Sequence, residues 1–405
     1  MASILPVLGN PLFRRYVFGN GISLLGAWVQ RVGIGWLTWE LTQSGFWLGA
    51  IAFADLFPAL IVGPFAGVWA DRYDRRNILL RNQLVSGLIA TLIFVLVFID
   101  AMNIYLLFTL SLGLGITSSI ALPARLALVP MLVKSEDVPA AVALNSVLFN
   151  TARFVGPMIA ASLIAWSDVS LTFLVNGLTY GIMALVMYSI PTGLHAVKTV
   201  SDSHILTDIW EGVRYAGGHP VIRAIILIIL AVAMFSKPIA ELLPGFADGV
   251  FGRGAIGLAL MTQAMGIGAL LGGICLAQFN STARLPIIAL VGFLACGITG
   301  CLFGLSDNFY LSLVILLFMG MAVSLTGICT QTLIQHTVKE EVRGRVMSLW
   351  GLIFRGAPAV GVIIMGALSE LSSLGVVVAA ASLLCIAAAV ISYLRWVVRL
   401  RQAFT

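Results

Sequence analysis

About twelve separate stretches of this chain are long and apolar enough to cross a bilayer, and they occupy nearly all of its 405 residues. A helical crossing takes roughly 20 predominantly apolar residues to traverse about 30 Å of hydrocarbon. Residues 78–99, 222–243, 285–305 and 375–396 reach that length with few or no charges. No soluble core absorbs so much apolar sequence. Hydrophobic residues are 60% of the chain and charged residues 10%, against about 25% charged in a soluble domain. Mean hydropathy is +1.05. The fold class is therefore all-α and polytopic, and function is to be sought inside the helix bundle.

The net charge of +6 raises the question of nucleic acid, and its distribution answers it. About eighteen of the 23 Lys and Arg residues fall in the tails or in alternate loops, which is the positive-inside pattern. Arg14 and Arg15 precede the first span, while Arg72, Arg75, Arg76 and Arg81 follow the second. Arg125 and Lys134 follow the fourth, Lys198, Arg214 and Arg223 the sixth, Arg284 the eighth, and Lys339, Arg343 and Arg345 the tenth. The intervening loops lack Lys and Arg, with Arg253 as the exception. Both termini are thus expected in the cytoplasm, and the host membrane is expected to be the bacterial inner membrane. The partners expected are the lipid bilayer, protons and a small-molecule substrate, for a monomer that binds no nucleic acid.

The spans are placed near 16–40, 46–70, 78–99, 104–123, 140–166, 170–190, 222–244, 255–279, 285–305, 309–334, 344–369 and 374–398. Most connections are short. The long one, 191–220, is polar and divides the spans six and six, giving bundles at 1–190 and 221–405. Within it Leu206, Ile209, Trp210 and Val213 share a helical face, with Asp208, Glu211 and Arg214 opposite. That pattern reads as a short amphipathic helix on the cytoplasmic membrane surface. The halves also echo one another. Ser146, Arg153, Gly156 and Pro157 in span five correspond to Ser348, Arg355, Gly356 and Pro358 in span eleven. Two copies of a six-helix unit are the signature of a repeat-built transporter with its site between the halves near mid-membrane.

The sharpest local motif is Gly67-Val-Trp-Ala-Asp71-Arg72-Tyr-Asp74-Arg75-Arg76, which ends span two and turns into span three. Gly67 admits a close neighbour, Asp71 accepts hydrogen bonds, and Arg72, Arg75 and Arg76 can bridge to acidic groups on neighbouring helix ends. Such a group serves either as a conformational latch or as a plain positive-inside anchor. The motif resembles the loop signature of the major facilitator superfamily, Gly-x-x-x-Asp-Arg-x-Gly-Arg-Arg/Lys, with Asp74 in place of the second Gly. That substitution is similar to one branch, the siderophore (enterobactin) exporters and drug:proton antiporters. Three further segments fit the branch: Asn10-Pro-Leu-Phe-Arg-Arg-Tyr, Pro123-Ala-Arg-Leu-Ala-Leu-Val-Pro130 with its continuation to Pro157, and Arg343-Gly-Arg-Val-Met-Ser348. The resemblance spans essentially the whole chain. It implies twelve transmembrane helices in two pseudo-symmetric bundles, transport by alternating access, and no enzymatic activity.

Arg153-Phe-Val-Gly156-Pro157 also resembles the family's antiporter motif, a Gly-Pro pair that bends the helix lining the cavity. The family's next glycines are replaced by Ala160 and Ala161, and its common span-four arginine is missing. Physically, Pro157 removes a backbone donor and kinks the helix, as Pro358 does in span eleven.

Charges within the spans are few: Arg31, Asp55, Arg153, Lys237, Glu241 and Arg355. Each costs about 2.5–3.5 kcal/mol at the bilayer centre, so such groups face the bundle or a water-filled cavity. Arg31 and Asp55 lie at similar depth on consecutive spans and are expected to pair. Lys237 and Glu241 are four apart, on one face of a helix. These groups serve either as fixed ion pairs that set helix register or as a substrate and proton site. Four basic groups against two acidic ones favour an amphipathic anion. The expected function is proton-coupled export of such a molecule, siderophore-like or a drug. A facilitator or importer of lipids or organic anions is the alternative, and a membrane sensor or scaffold is the rival from another class.

No phosphate-binding loop, His-Glu-x-x-His or Cys-x-x-Cys occurs, so no cofactor or metal is expected. The five cysteines read as small buried hydrophobes. Residues 266–273, rich in tandem glycine, read as a close-packing surface.

Overall fold

A computed structural model describes residues 7–193, 205–278 and 284–404, without the side chains of residues 71, 205–209, 341 and 395–404. The described residues are mostly helical and contain no strand. The helices run α1 (Pro11–Thr42), α2 (Gly45–Leu56), α3 (Pro58–Arg72), α4 (Arg75–Phe98), α5 (Ile104–Leu128), α6 (Val138–Trp166) and α7 (Ser170–Ser189). They continue as α8 (Ile205–Gly218), α9 (Pro220–Phe235), α10 (Ile239–Gly245), α11 (Gly254–Ala277), α12 (Leu285–Gly304), α13 (Phe309–Thr337), α14 (Glu340–Ser369) and α15 (Leu374–Phe404).

Among the described residues, eleven segments are helical, long and apolar enough to cross a membrane. The remaining expected span falls on α1, 32 residues long and carrying Arg14, Arg15, Arg31 and Glu40. Two expected continuous spans are instead broken. Span two is α2 and α3, joined at Phe57-Pro58. Span seven is α9 and α10, joined through Ser236-Lys237-Pro238, and it runs on through a π-helical turn at Phe246–Val250. It therefore extends over Pro220–Val250, past the expected 222–244. Proline begins a helix easily because its missing N–H is one the first turn does not need.

Helix starts carry their own side-chain caps. The Asp74 carboxylate accepts from the backbone N–H of Arg76 at 2.9 Å, Asn103 from Leu106 at 3.0 Å, and Asn308 from Leu311 at 3.1 Å. Each of these satisfies an amide that the helix leaves orphaned.

The chain divides into two compact units, Met1–Thr42 with Ala54–Asp202, and Gln43–Phe53 with Ser203–Thr405. The first half of span two thus packs within the second unit. In the first unit the core at the basic end gathers Phe13, Tyr16, Leu79, Leu128, Met183 and Met187. In the second, Val232, Phe293, Cys296 and Cys385 form one core. Close backbone approach does the rest, since lipid supplies no hydrophobic drive between helices. On α11, Gly268 lies against the Leu317 carbonyl, and on α13 Gly320 lies against the Met265 carbonyl, a reciprocal contact that any Cβ would block. The glycine run 266–273 is a packing surface here. Cys296, Cys329 and Cys385 are buried as expected, but Cys301 is only half-buried and Cys275 is exposed on α11. An apolar stretch does not tell a lipid-facing position from a buried one.

The linker helix α8 covers Ile205–Gly218. Trp210 and Val213 are exposed, and the side chains of Leu206, Ile209 and Asp208 lie outside the described residues. Glu211 forms an ion pair with Arg345, and Gly212 sits close to the Arg345 carbonyl, so α8 is tied to the start of α14.

Candidate functional site

Both breaks create the same chemical problem. Proline has no N–H, so the carbonyl four residues earlier loses its helical donor. Exposed backbone of this kind is tolerated at membrane depth only where protein covers it or water reaches it. At the span-two break the affected carbonyl is that of Ala54. Gly115 on α5 lies over it, and a Cβ there would meet the Asp55 oxygen at 2.5 Å and the Ala54 oxygen at 2.7 Å. At the span-seven break the carbonyl is that of Met234, and Gly361 on α14 lies against it, with a built Cβ only 2.8 Å from Pro238. Each unit therefore contains a proline break shielded by a glycine of a neighbouring helix.

A charged side chain stands beside each break. In the first unit Asp55, three residues before Pro58, meets Arg31 of α1, with Arg31 Nη1 donating to Asp55 Oδ2 at 3.3 Å. The two side chains are 38% and 37% exposed, so the pair is open on one side. The Arg31 guanidinium also lies 5.8 Å from the Trp28 ring centre, and the Arg153 guanidinium lies at the same distance from that indole. Trp28 is steadied by an edge contact with Phe149 at 6.0 Å. The close passage of α6 over α1 depends on Gly156, whose Cβ would meet Trp28 Cβ at 2.5 Å. The Gly156-Pro157 pair thus sets Arg153 over the indole. Two arginines and one aspartate thus gather around a single indole.

In the second unit Lys237 lies in the turn itself, one residue before Pro238. Its Nζ donates to the Phe354 carbonyl at 2.6 Å and sits 3.6 Å from the Phe354 ring centre. That carbonyl is the one Pro358 deprives of its helical donor. A lysine at one break therefore satisfies the acceptor left by a proline on another helix. Phe354 stacks on Trp350 at 4.9 Å, and Trp350 Nε1 donates to Thr330 Oγ1 at 3.3 Å. Glu241 lies in the first turn of α10 and is half-buried. The turn at Ser236–Pro238 separates Lys237 from Glu241, so the two are not carried on one unbroken helix. Arg355 is exposed on α14, one residue past the Phe354 carbonyl.

The loop motif after span two divides by role. Arg75 and Arg76 are buried. Arg75 Nε donates to the Ala70 carbonyl at 3.1 Å. Arg76 gathers the end of α7, donating to the carbonyls of Met187 at 2.9 Å, Tyr188 at 2.9 Å and Ile190 at 3.2 Å. These are backbone acceptors in place of the acidic helix ends expected for Arg76. Asp74 caps α4 and accepts from Gly193 N at 2.7 Å. Arg72 is exposed. No described atom lies within 4 Å of a Cβ built on Gly67, so the close neighbour expected there is absent from this state. The Asp71 side chain lies outside the described residues. Among the described residues no cluster of His, Cys, Asp and Glu is placed to hold a metal; His195 and His204 lie outside them.

Sequence reasoning missed the paired breaks and their glycine shields. Pro58 and Pro238 were the available signal, because each follows a charged or acidic position within three residues.

A family model described as transmembrane secretion effector matches residues 2–403. The chain is similar to a staphyloferrin A transporter of Staphylococcus aureus, 26% identical over 361 residues, covering 87% of this chain and 88% of that one. It is similar to macrolide efflux protein A of Streptococcus pyogenes, 22% identical over 350 residues, covering 85% and 86%. The crystal structure of the nucleoside transporter NupG shares the fold, with a TM-score of 0.68 at 13% identity, covering 95% of this chain and 99% of that one.

Proposed function

Because the chain belongs to the transmembrane secretion effector family of the major facilitator superfamily, and so is a membrane transporter and not an enzyme, we propose that it exports a small amphipathic anion in exchange for protons. Transport proceeds by alternating access in the bacterial inner membrane. The Arg31–Asp55 pair, half-open and set beside the Pro58 break, carries this reading.

Arg31 and Arg153 share the Trp28 face and present guanidinium donors suited to a carboxylate or phosphate, while the indole offers an apolar surface. An amphipathic anion uses both. Asp55 in its ionised form holds the Arg31 guanidinium in place by a charge-assisted hydrogen bond. Protonation of Asp55 releases Arg31, disorganises the anion site and discharges the substrate. Proton and substrate then alternate on the protein, which is the condition for proton-driven export.

One electrostatic effect acts in the opposite sense. An anion bound beside a carboxylate favours the protonated form of that carboxylate. Were this the larger effect, proton and anion would bind together and the chain would run as an importer. The pH dependence of binding separates the two. Export predicts weaker substrate binding at about pH 6 than at about pH 8; co-binding predicts the reverse. The relative named for macrolide efflux supports export, and the staphyloferrin A transporter supports a small organic substrate.

The second unit supplies Lys237, Glu241 and Arg355 to the transport path, and Gly67, Asp71, Arg72, Arg75 and Arg76 govern its cytoplasmic closure. The test uses proteoliposomes with staphyloferrin A as the anionic probe and a macrolide, a basic amine, as the contrasting one. Wild-type protein should accumulate staphyloferrin A against its gradient when a pH difference is imposed, and accumulation of the macrolide alone would overturn the anion assignment. Asp55→Asn, which mimics the protonated carboxyl, should lose that accumulation at least tenfold and weaken counterflow exchange as well, with thermal stability retained. Undiminished accumulation removes Asp55 from the mechanism.

A further inference from the structure

A groove of about 500 Å³ opens in the first unit between the start of α1 and the end of α7, lined by Arg14, Arg15, Phe18, Leu185, Val186 and Ser189. From it we infer a site for an anionic glycerophospholipid, with the phosphate on Arg14 and Arg15 and an acyl chain along α7. The inference is independent of the transport reading and needs only that the chain be embedded in a membrane.

The groove has a closed end and an open one. At the closed end Gly19 brings α1 against α7, where a built Cβ would lie 2.8 Å from Val186 Cγ2. One turn towards the N-terminus, Arg14, Arg15 and Phe18 face outward together at i, i+1 and i+4. Phe18 and Leu185 are each 72% exposed, so the walls are apolar and uncovered.

The two arginines retain their charge for an outside partner. Among the described residues neither guanidinium forms an ion pair or hydrogen bond. Acceptors at the same end of the unit are already engaged. The last carbonyls of α7 are held by Arg76, and the Asp74 carboxylate is divided between its cap bonds and Gly193 N. Ser189 Oγ donates to its own helix at Val186 O.

The apolar track beyond the arginines has the length of one leaflet. Leu178, Ile182 and Leu185 are exposed at helical spacing on α7, ending at Ser189, and Gly181 has open space where a side chain would stand. About eleven residues of helix rise about 16 Å, close to half of the roughly 30 Å hydrocarbon core. Basic groups at one end and a leaflet-long apolar track below them fit an anionic head group with its chain, whereas a free phosphate would use the arginines alone. Basic pockets between helix ends on the cytoplasmic side are the recurrent form of anionic-lipid recognition.

The test is native mass spectrometry of the purified full-length chain titrated with phosphatidylglycerol, with phosphatidylcholine of the same acyl chains, and with glycerol 3-phosphate. Wild-type protein should retain phosphatidylglycerol preferentially, and glycerol 3-phosphate at equal concentration should not displace it. R14Q/R15Q should lower that preference about tenfold, while R14K/R15K keeps it. The charge-matched control R223Q/R284Q, at exposed arginines of the second unit, should leave it intact. If R14Q/R15Q fails to fold, as read by thermal unfolding in phosphatidylcholine, the single variants should each show about a threefold loss. The inference is overturned if R14Q/R15Q keeps the preference, if the control loses as much, or if glycerol 3-phosphate displaces the lipid.

Discussion

Span two and span seven are broken in the same way and use the break differently. Each has a proline that frees a carbonyl, and each has a glycine from a neighbouring helix lying over it, Gly115 in one and Gly361 in the other. At the span-two break the charged residue pairs with another side chain, Asp55 with Arg31, at 3.3 Å and with more than a third of each side chain exposed. At the span-seven break Lys237 bonds to the backbone carbonyl that Pro358 leaves without a donor, at 2.6 Å. A partly exposed ion pair has room to exchange its partner for a proton or a substrate. An ammonium holding an orphaned carbonyl cannot leave without exposing that carbonyl. In the proposed reading the Arg31–Asp55 pair is the exchanging element of the first unit, and the Lys237 bond ties the span-seven break to α14 in the second.

The largest effect that sharpens this contrast is on stability. Lys237→Met should leave the Phe354 carbonyl unsatisfied, at about 1–3 kcal/mol, seen as a lower thermal-unfolding midpoint. Pro358→Ala restores the missing N–H on α14, so in a double-mutant cycle it should recover much of the Lys237→Met loss. If the two variants are additive, Lys237 is not there for the carbonyl. Next come the glycine shields. Gly115→Val and Gly361→Val should each cost about 1–3 kcal/mol by forcing a side chain against backbone, and similar values would establish that the two breaks are packed alike. Smallest is Arg153→Lys, which keeps the charge but weakens the contact with Trp28. A loss of about 0.5–1 kcal/mol should appear as a few-fold weaker apparent affinity, with thermal stability unchanged.

Much of this architecture is legible in the sequence for a simple reason. The transfer of roughly 20 apolar residues into lipid dominates every other local preference, so span number, short loops and basic ends follow from composition alone. Arg31 and Asp55 are legible as partners because consecutive antiparallel spans put them at equal depth. The breaks are not, since Pro58 and Pro238 interrupt the helix without altering hydropathy. The spacing of Lys237 and Glu241 implies a shared face only on an unbroken helix. The actual acceptor of Lys237 is 117 residues away and exists only because Pro358 removed a donor. For Arg76 the sequence suggests acidic helix ends, whereas the side chain binds carbonyls of α7, a partner that only the tertiary fold supplies.

The central claim is that Asp55 gives up its proton when substrate occupies Arg31 and Arg153. A pH-indicator measurement on weakly buffered, purified protein reads this directly when staphyloferrin A, brought to the same pH beforehand, is added near neutral pH. The account predicts proton release by the wild-type chain and none by Asp55→Asn. Proton uptake on binding, or release that persists in Asp55→Asn, would contradict it.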